Sequence, residues 1–313
     1  MLNIFIAGGS GTIGRQLVPM LVRQGHRVVA MTRTPAGAAR LEAMGATPVI
    51  GDVFDSDRLN GVVRQAAPEL VIHQLTAFGA TDADPLAQTI RVRTEGTRNL
   101  VTAARQAGAR RLITQSISFI CKPVAGGLTD ESSPLYLDAP DAIRPLAQAV
   151  AEMEQRTLDA PGLQGVVLRY GWFYGPGTNF DPADVIPRAI KKGRMPIVGA
   201  GDGCYSFVHV RDAAQATMRA LTGAAPGIYN IVDDAPARLR EWLPVAAQLL
   251  AAPPPSAMDE ALARQKFGDM LVYIYNEQSG ASNHKARTAL AWQPGIPSWR
   301  RGFSELYASA GAT

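Results

Sequence analysis

The chain has 313 residues and a formal charge of +4, with 47% hydrophobic and 19% charged residues. That is the composition of an ordinary soluble globule, and no apolar run approaches the roughly 18 residues of a membrane span. The basic residues are dispersed, which implies no nucleic-acid partner, and the two cysteines, Cys121 and Cys204, lie far apart and fit no metal spacing.

The expected location is the cytoplasm, with both thiols free in a reducing compartment. The first strand begins at once, at Leu2–Ala7, leaving no room for a signal peptide. A glycine turn from Gly8 to Gly14 follows and leads into an amphipathic helix. Arg27–Thr32 reads as the second strand, Ala36–Met44 as a short helix closed by Gly45, and Thr47–Ile50 as the third strand. A helix over about Asp57–Gln65 follows, with Ser56 as its expected cap, and then a fourth strand, Glu69–His73. One long helix is predicted over Pro85–Ala107, a strand over Arg111–Gln115, a helix over Ile143–Leu158 and a strand over Gly165–Arg169. Strands and helices alternating at this spacing predict a doubly wound parallel α/β sheet, a Rossmann arrangement. After Gly171 turn residues crowd the sequence, so the expected division is a nucleotide-binding domain over 1–172 and a small C-terminal substrate-binding lobe over 173–313.

The opening turn carries the first chemical signal. Gly8-x-x-Gly11-x-x-Gly14 sits between a strand and a helix, the setting that holds a dinucleotide pyrophosphate on free helix N–H groups. Gly8 permits the turn, Gly11 lets backbone approach the phosphates and Gly14 lets helix and strand pack; Thr12 and Ile13 complete the loop. A carboxylate ending the second strand would bond the 2′-hydroxyl of NAD and repel the 2′-phosphate of NADP. No acid occurs from Arg27 to Thr34, and Arg33 stands there, its guanidinium suited to fork onto a phosphate. NADP(H) is therefore the expected cofactor. Asp52, with Val53 beside it, is placed for the adenine amino group, with capping of the next helix as its alternative role. Leu75, Thr76 and Ala77 follow the fourth strand and are expected beside the ribose and nicotinamide.

These residues, together with Glu95–Leu100, Leu168–Gly177, Ser206–Ala214, Tyr229–Ile231 and Ala289–Trp292, give the chain a resemblance to extended or atypical short-chain dehydrogenases/reductases of the NAD(P)-dependent epimerase/dehydratase type. The resemblance spans nearly the whole chain. It implies that Ser206–Ala214 and Ile228–Val232 return to pack on the first domain, and that two copies pair as a homodimer through the two long helices. It also implies a Tyr-x-x-x-Lys pair on the helix before the sixth strand. There the ammonium lowers the phenol pKa, so the phenol passes a proton while the nicotinamide passes a hydride. None of the eight tyrosines here has a lysine four residues on. Aligned through Glu152, the pair becomes Arg144 and Gln148; aligned through Glu154, it becomes Leu146 and Val150. Ser116 matches the family's first serine after the fifth strand, Ile117 stands at its usual substrate-binding Ser or Thr, and Arg93 replaces a frequent asparagine.

Ser116, Ser118 and Tyr170 are the candidate catalytic residues, and Tyr174, Tyr205, His209, Lys122 and Arg144 are further groups to place; no metal site is expected. Tyr170 takes the place of a common proline at the end of the sixth strand, near the expected nicotinamide. The expected function is an NADP(H)-binding oxidoreductase of epimerase/dehydratase type. It would act on a small carbonyl or hydroxyl metabolite with a non-standard proton donor. Two alternatives stay open: an NADP(H)-binding sensor or regulatory protein, and a non-redox isomerase or cyclase.

Overall fold

The computed structural model describes residues 1–77 and 84–308. The last five residues of the expected C-terminal lobe therefore lie outside the description. Elements run in the order β1 (Asn3–Ala7), α1 (Gly14–Arg23), β2 (Arg27–Thr32), α2 (Pro35–Ala43), β3 (Thr47–Ile50), α3 (Ser56–Ala66) and β4 (Leu70–His73). They continue with α4 (Pro85–Arg91), a π-helical turn over Val92–Gly96, α5 (Thr97–Gln106), β5 (Arg111–Ile117), α6 (Arg144–Leu158) and β6 (Gln164–Tyr170). The second half adds β7 (Trp172–Tyr174), α7 (Val185–Lys191), β8 (Ile197–Val198), β9 (Cys204–Tyr205), β10 (Phe207–His209), α8 (Val210–Ala220) and β11 (Gly227–Ile231), then mostly short helices.

Seven strands form one parallel sheet in the order β11-β6-β5-β4-β1-β2-β3. The sequence explains why. Ile4, Phe5, Ile6 and Ala7 are all buried, as are Leu70 to His73, and a strand apolar on both faces belongs inside a helix-covered parallel sheet. Helix α1 turns Leu17, Val18 and Leu21 inward, a three-and-four spacing that packs one stripe on the sheet. One face carries Ile4, Ile6, Leu17, Leu21, Leu168 and Ala213; the other carries Phe5, Val71, Leu100, Ala103 and Leu112. A separate aromatic core in the second half gathers Phe180, Phe207, Trp242, Trp299 and Phe303.

Three details differ from the sequence reading. The long helix is interrupted by the π turn at Val92–Gly96, which the 3.6-residue period does not reveal. Helix α3 is capped by Asp55, whose carboxylate accepts from Arg58 N–H at 3.1 Å, not by Ser56 or Asp52. Strand β5 runs on to Ile117. Helix α8 packs on α1, and β11 pairs in parallel with β6, Tyr229 opposite Leu168. Among the described residues no helix is long and apolar enough to cross a membrane.

Candidate nucleotide and hydride-transfer site

The glycine turn leaves room only for backbone. Gly8 has φ +91°, and a Cβ there would lie 2.7 Å from the carbonyl carbon and oxygen of Gln74. At Gly14 a Cβ would lie 2.2 Å from the Gly9 carbonyl oxygen. Gly11 N–H donates to Gly8 O at 3.1 Å and closes the turn, while Gly11 itself stays exposed. Among the described residues no protein acceptor takes the N–H of Thr12 or Ile13. Helix α1 starts directly behind them, so these are the donors, and its dipole the field, that an anion needs. The Thr12 hydroxyl donates to Gly177 O at 3.0 Å, joining the turn to the second half of the chain. Open donors, a helix N-terminus and a cradle that a Cβ would fill all fit a dinucleotide pyrophosphate.

The far end of the turn is tied to β2. Ser10 Oγ and Thr32 Oγ1 lie 3.0 Å apart, and Thr34 caps α2 by accepting from Gly37 N–H at 3.0 Å. Arg33 stands between these two fixed residues and is exposed. Asp52 is half-buried and accepts from Phe54 N–H at 3.0 Å, holding its own loop. Val53 is buried and its carbonyl accepts from Asn99 Nδ2 at 2.9 Å, which fixes this loop against α5. Past β4, Leu75 is half-buried, Thr76 exposed and Ala77 buried. Leu75 N–H donates to His73 Nδ1 at 3.3 Å, so the His73 proton sits on Nε2 and donates to Thr97 Oγ1 at 3.0 Å. Burial pushes the His73 pKa down to about 3, with the nearby Arg93 charge adding to the shift.

The reaction end differs from the sequence expectations. Tyr170 is fully buried on the α1 and α8 side of the sheet. Its hydroxyl lies 2.7 Å from Thr217 Oγ1, and burial pushes its pKa up to about 12. The parity of β6 turns the ring of this candidate catalytic residue under the sheet, away from solvent. Ser116 is also fully buried, its hydroxyl donated to Glu154 Oε1 at 2.6 Å. Ser118 is buried in the short turn just after β5. Tyr174 and Tyr205 lie in the aromatic core of the second half, with burial raising both phenol pKa values. His209 caps α8 through Nδ1, Lys122 pairs with Asp138, and Arg144 pairs with Asp141 at the exposed start of α6. Trp172 and Phe173 remain half-buried, and Trp172 stacks on Phe119 with centroids 4.4 Å apart.

Burial along α6 separates the two alignments. Glu154 is buried and takes both prongs of Arg169, from Nε at 2.8 Å and from Nη2 at 2.7 Å. Glu152 is half-exposed and pairs with Arg156. Leu146 and Val150 precede Glu154 by two turns and one turn, and all three are buried, whereas Gln148 and Arg144 are exposed. The inward face of α6 at Leu146 and Val150 is therefore apolar. It packs with Ile117, Ile120, Ile143 and Tyr273. Arg93, treated in the sequence only as a replaced asparagine, is buried opposite this face, with Nη1 3.4 Å from Met153 Sδ.

The model of the NAD dependent epimerase/dehydratase family matches residues 4–232. The chain belongs to that family. It is accordingly an enzyme of oxidoreductase or epimerase/dehydratase type. It is 42% identical over 305 residues to a 3-diazoavenalumate denitrifying reductase of Streptomyces sp, covering 96% of this chain and 99% of that protein. It is 30% identical over 279 residues to a 2-alkyl-3-oxoalkanoate reductase of Stenotrophomonas maltophilia (strain K279a), covering 84% and 79%. A UDP-glucose 4-epimerase of Thermus thermophilus, solved in complex with NAD, superposes with a TM-score of 0.75 at 24% identity, covering 98% and 99%.

Proposed function

We propose that this family member is an NADP(H)-dependent reductase whose substrate needs a hydride but no proton from a side chain, and that this substrate is an arene carrying a diazo group. The observation that carries the reading is the apolar pair Leu146 and Val150 on the face of α6 that Glu154 anchors. A ketone gaining hydride becomes an alkoxide and requires an acid in the transition state. A diazonium group is already cationic. In the net reaction a hydride and its electron pair form the new C–H bond, while the C–N bonding pair leaves in N₂. The aryl diazonium cation and the reduced cofactor thus give arene, dinitrogen and the oxidised cofactor, with no proton consumed. The denitrifying reductase at 42% identity over almost the full length supports this class over the carbonyl or hydroxyl metabolite expected from sequence.

The bound cofactor supplies the hydride. The chain's own residues hold it: the turn from Gly8 to Gly14 takes the pyrophosphate, with Leu75, Thr76 and Ala77 along the ribose and nicotinamide. Arg33 takes the 2′-phosphate, and Asp52 with Val53 flanks the adenine. Phe119 and Trp172, stacked on each other, offer half-buried aromatic surface suited to a flat substrate.

The test mixes the protein and NADPH with an arenediazonium acid. Loss of absorbance at about 340 nm, the usual nicotinamide wavelength, in equal stoichiometry with N₂ release supports the proposal. Turnover confined to 3-oxoacids would replace it with a ketoreductase reading, the activity named for the Stenotrophomonas relative.

A further inference from the structure

Among the described residues, Arg93 is a buried charge with little hydrogen bonding. Its residue is 3% exposed, yet among the described residues Nε and Nη2 have no hydrogen-bond partner, and Nη1 meets only the weak acceptor Met153 Sδ. The charge of the neighbouring Glu154 favours the guanidinium but gives it no hydrogen bond. Glu154 Oε1 receives Ser116 and Arg169 Nε, and Oε2 receives Arg169 Nη2. Burial pulls the Arg93 pKa down to about 10, so the group is still a cation at neutral pH. An unpaired buried guanidinium costs free energy that a folded protein rarely leaves uncompensated. It is also placed with care. It springs from the π turn at Val92–Gly96, a local widening that recurs at functional sites. It reaches across to Met153, one turn beyond Val150 on the same inward face of α6.

We infer that Arg93 is a ligand-positioning residue. From the facing helix it supplies the buried cation that the side chain at Val150 lacks, and its unpartnered N–H groups receive an oxygen acceptor of the bound ligands. Two sources offer that acceptor: the hydroxyls of the nicotinamide ribose and a carboxylate of the substrate. The inference rests on the reading that a nicotinamide nucleotide sits at the glycine turn.

The experiment compares wild type with Arg93→Met and Arg93→Lys. It uses calorimetry with NADP⁺ and with 2′,5′-ADP, which lacks the nicotinamide ribose, together with melting of the ligand-free protein and KM for an arenediazonium acid. A charged hydrogen bond lost from the bound state predicts roughly a ten- to hundredfold effect. For a ribose acceptor, Arg93→Met weakens NADP⁺ by that factor and leaves 2′,5′-ADP unchanged. For a substrate carboxylate, both nucleotides bind as before and KM rises by that factor. In either case ligand-free Arg93→Met melts higher than wild type, because an unpaired charge has been removed, and a purely structural arginine would give the opposite. Arg93→Lys keeps the charge and recovers part of the loss. If Arg93→Met melts lower, or fails to fold, with Arg93→Lys matching wild type in NADP⁺ affinity and KM, the inference is overturned. Unchanged NADP⁺ affinity together with unchanged KM overturns it too, while wild-type binding shows that the cofactor reading survives. Failure of wild type to bind either nucleotide overturns the cofactor reading and this inference together.

Discussion

Glu154 on α6 and Arg169 on β6 form a two-pronged ion pair, at 2.8 and 2.7 Å, that is almost completely shielded from water. It fixes the rotation of α6 against the sheet and so determines which side chains that helix shows to the reaction end. Glu154→Gln leaves the Arg169 charge buried and uncompensated. The expected loss is about 3–5 kcal/mol of stability, measured as a shift of the denaturant midpoint. A loss below about 1 kcal/mol would show that the pair does not hold the helix.

That rotation makes a gain-of-function prediction. Leu146→Tyr combined with Val150→Lys writes the missing phenol and ammonium onto the inward face. The double variant is expected to reduce a simple ketone with NADPH at least ~100-fold faster than wild type, the lower end of what a positioned acid contributes. Overpacking of about 1–3 kcal/mol accompanies it, so melting is recorded alongside the rate. The same change made at Arg144 and Gln148, which are exposed, should give no such gain. Equal rates for the two double variants would refute the alignment through Glu154.

Arg33 is the proposed clamp on the 2′-phosphate. Arg33→Ala is expected to weaken NADPH by about 1.5–3 kcal/mol, the scale of a charged hydrogen bond, and to leave NADH almost unaffected. Paired titrations followed by nicotinamide fluorescence check this. An equal loss for both nucleotides would remove Arg33 from the 2′-phosphate.

Asp233 sits just past β11, buried, with Oδ1 accepting from Ala235 N–H at 3.1 Å and Oδ2 unpartnered. Burial is the largest reason its pKa rises to about 8, with Asp234 and Asp212 adding repulsion. The folded state therefore binds this proton more tightly than the unfolded chain does. Its contribution is fully present below the ordinary carboxylate pKa of about 4 and is lost as pH climbs towards about 8. Asp233→Asn keeps the acceptor and removes the titration. It should stabilise the protein by about 2–5 kcal/mol above pH 8, from the size of the shift, and hardly at all near pH 4. Melting curves across that interval test it, and parallel wild-type and variant profiles would refute it.

Much of the scaffold was legible because its signals are local. Gly8, Gly11 and Gly14 bracket a turn whose sterics permit nothing larger at two of those positions, and doubly buried strands such as Ile4–Ala7 leave unbroken apolar runs. The reaction end was not legible, because it depends on parity and rotation. Tyr170 ends a strand, and only the pleat decides which face receives its ring. Glu152 and Glu154 are two residues apart in sequence and equally acidic, and only burial separates the structural one from the solvated one. Arg93 carried a usable hint. Thr89, Arg93, Gly96, Thr97 and Leu100 recur at helical spacing and are all buried, so the arginine lies on the inward stripe. A charged residue in a helix otherwise reads as solvated.

The edge strand beside β6 has a bearing on how this chain is made. Because Gly227–Ile231 closes the sheet, the ribosome must deliver well over two hundred residues before the last rung of backbone pairing is available. Any nascent or truncated product stopping near residue 172 would present the bare flank of β6, whose residues are nearly all buried in the folded chain, as a sticky template for other chains. A cut near residue 172 would strip that edge strand from the sheet, because the first half of the polypeptide borrows a strand written far downstream in its own message.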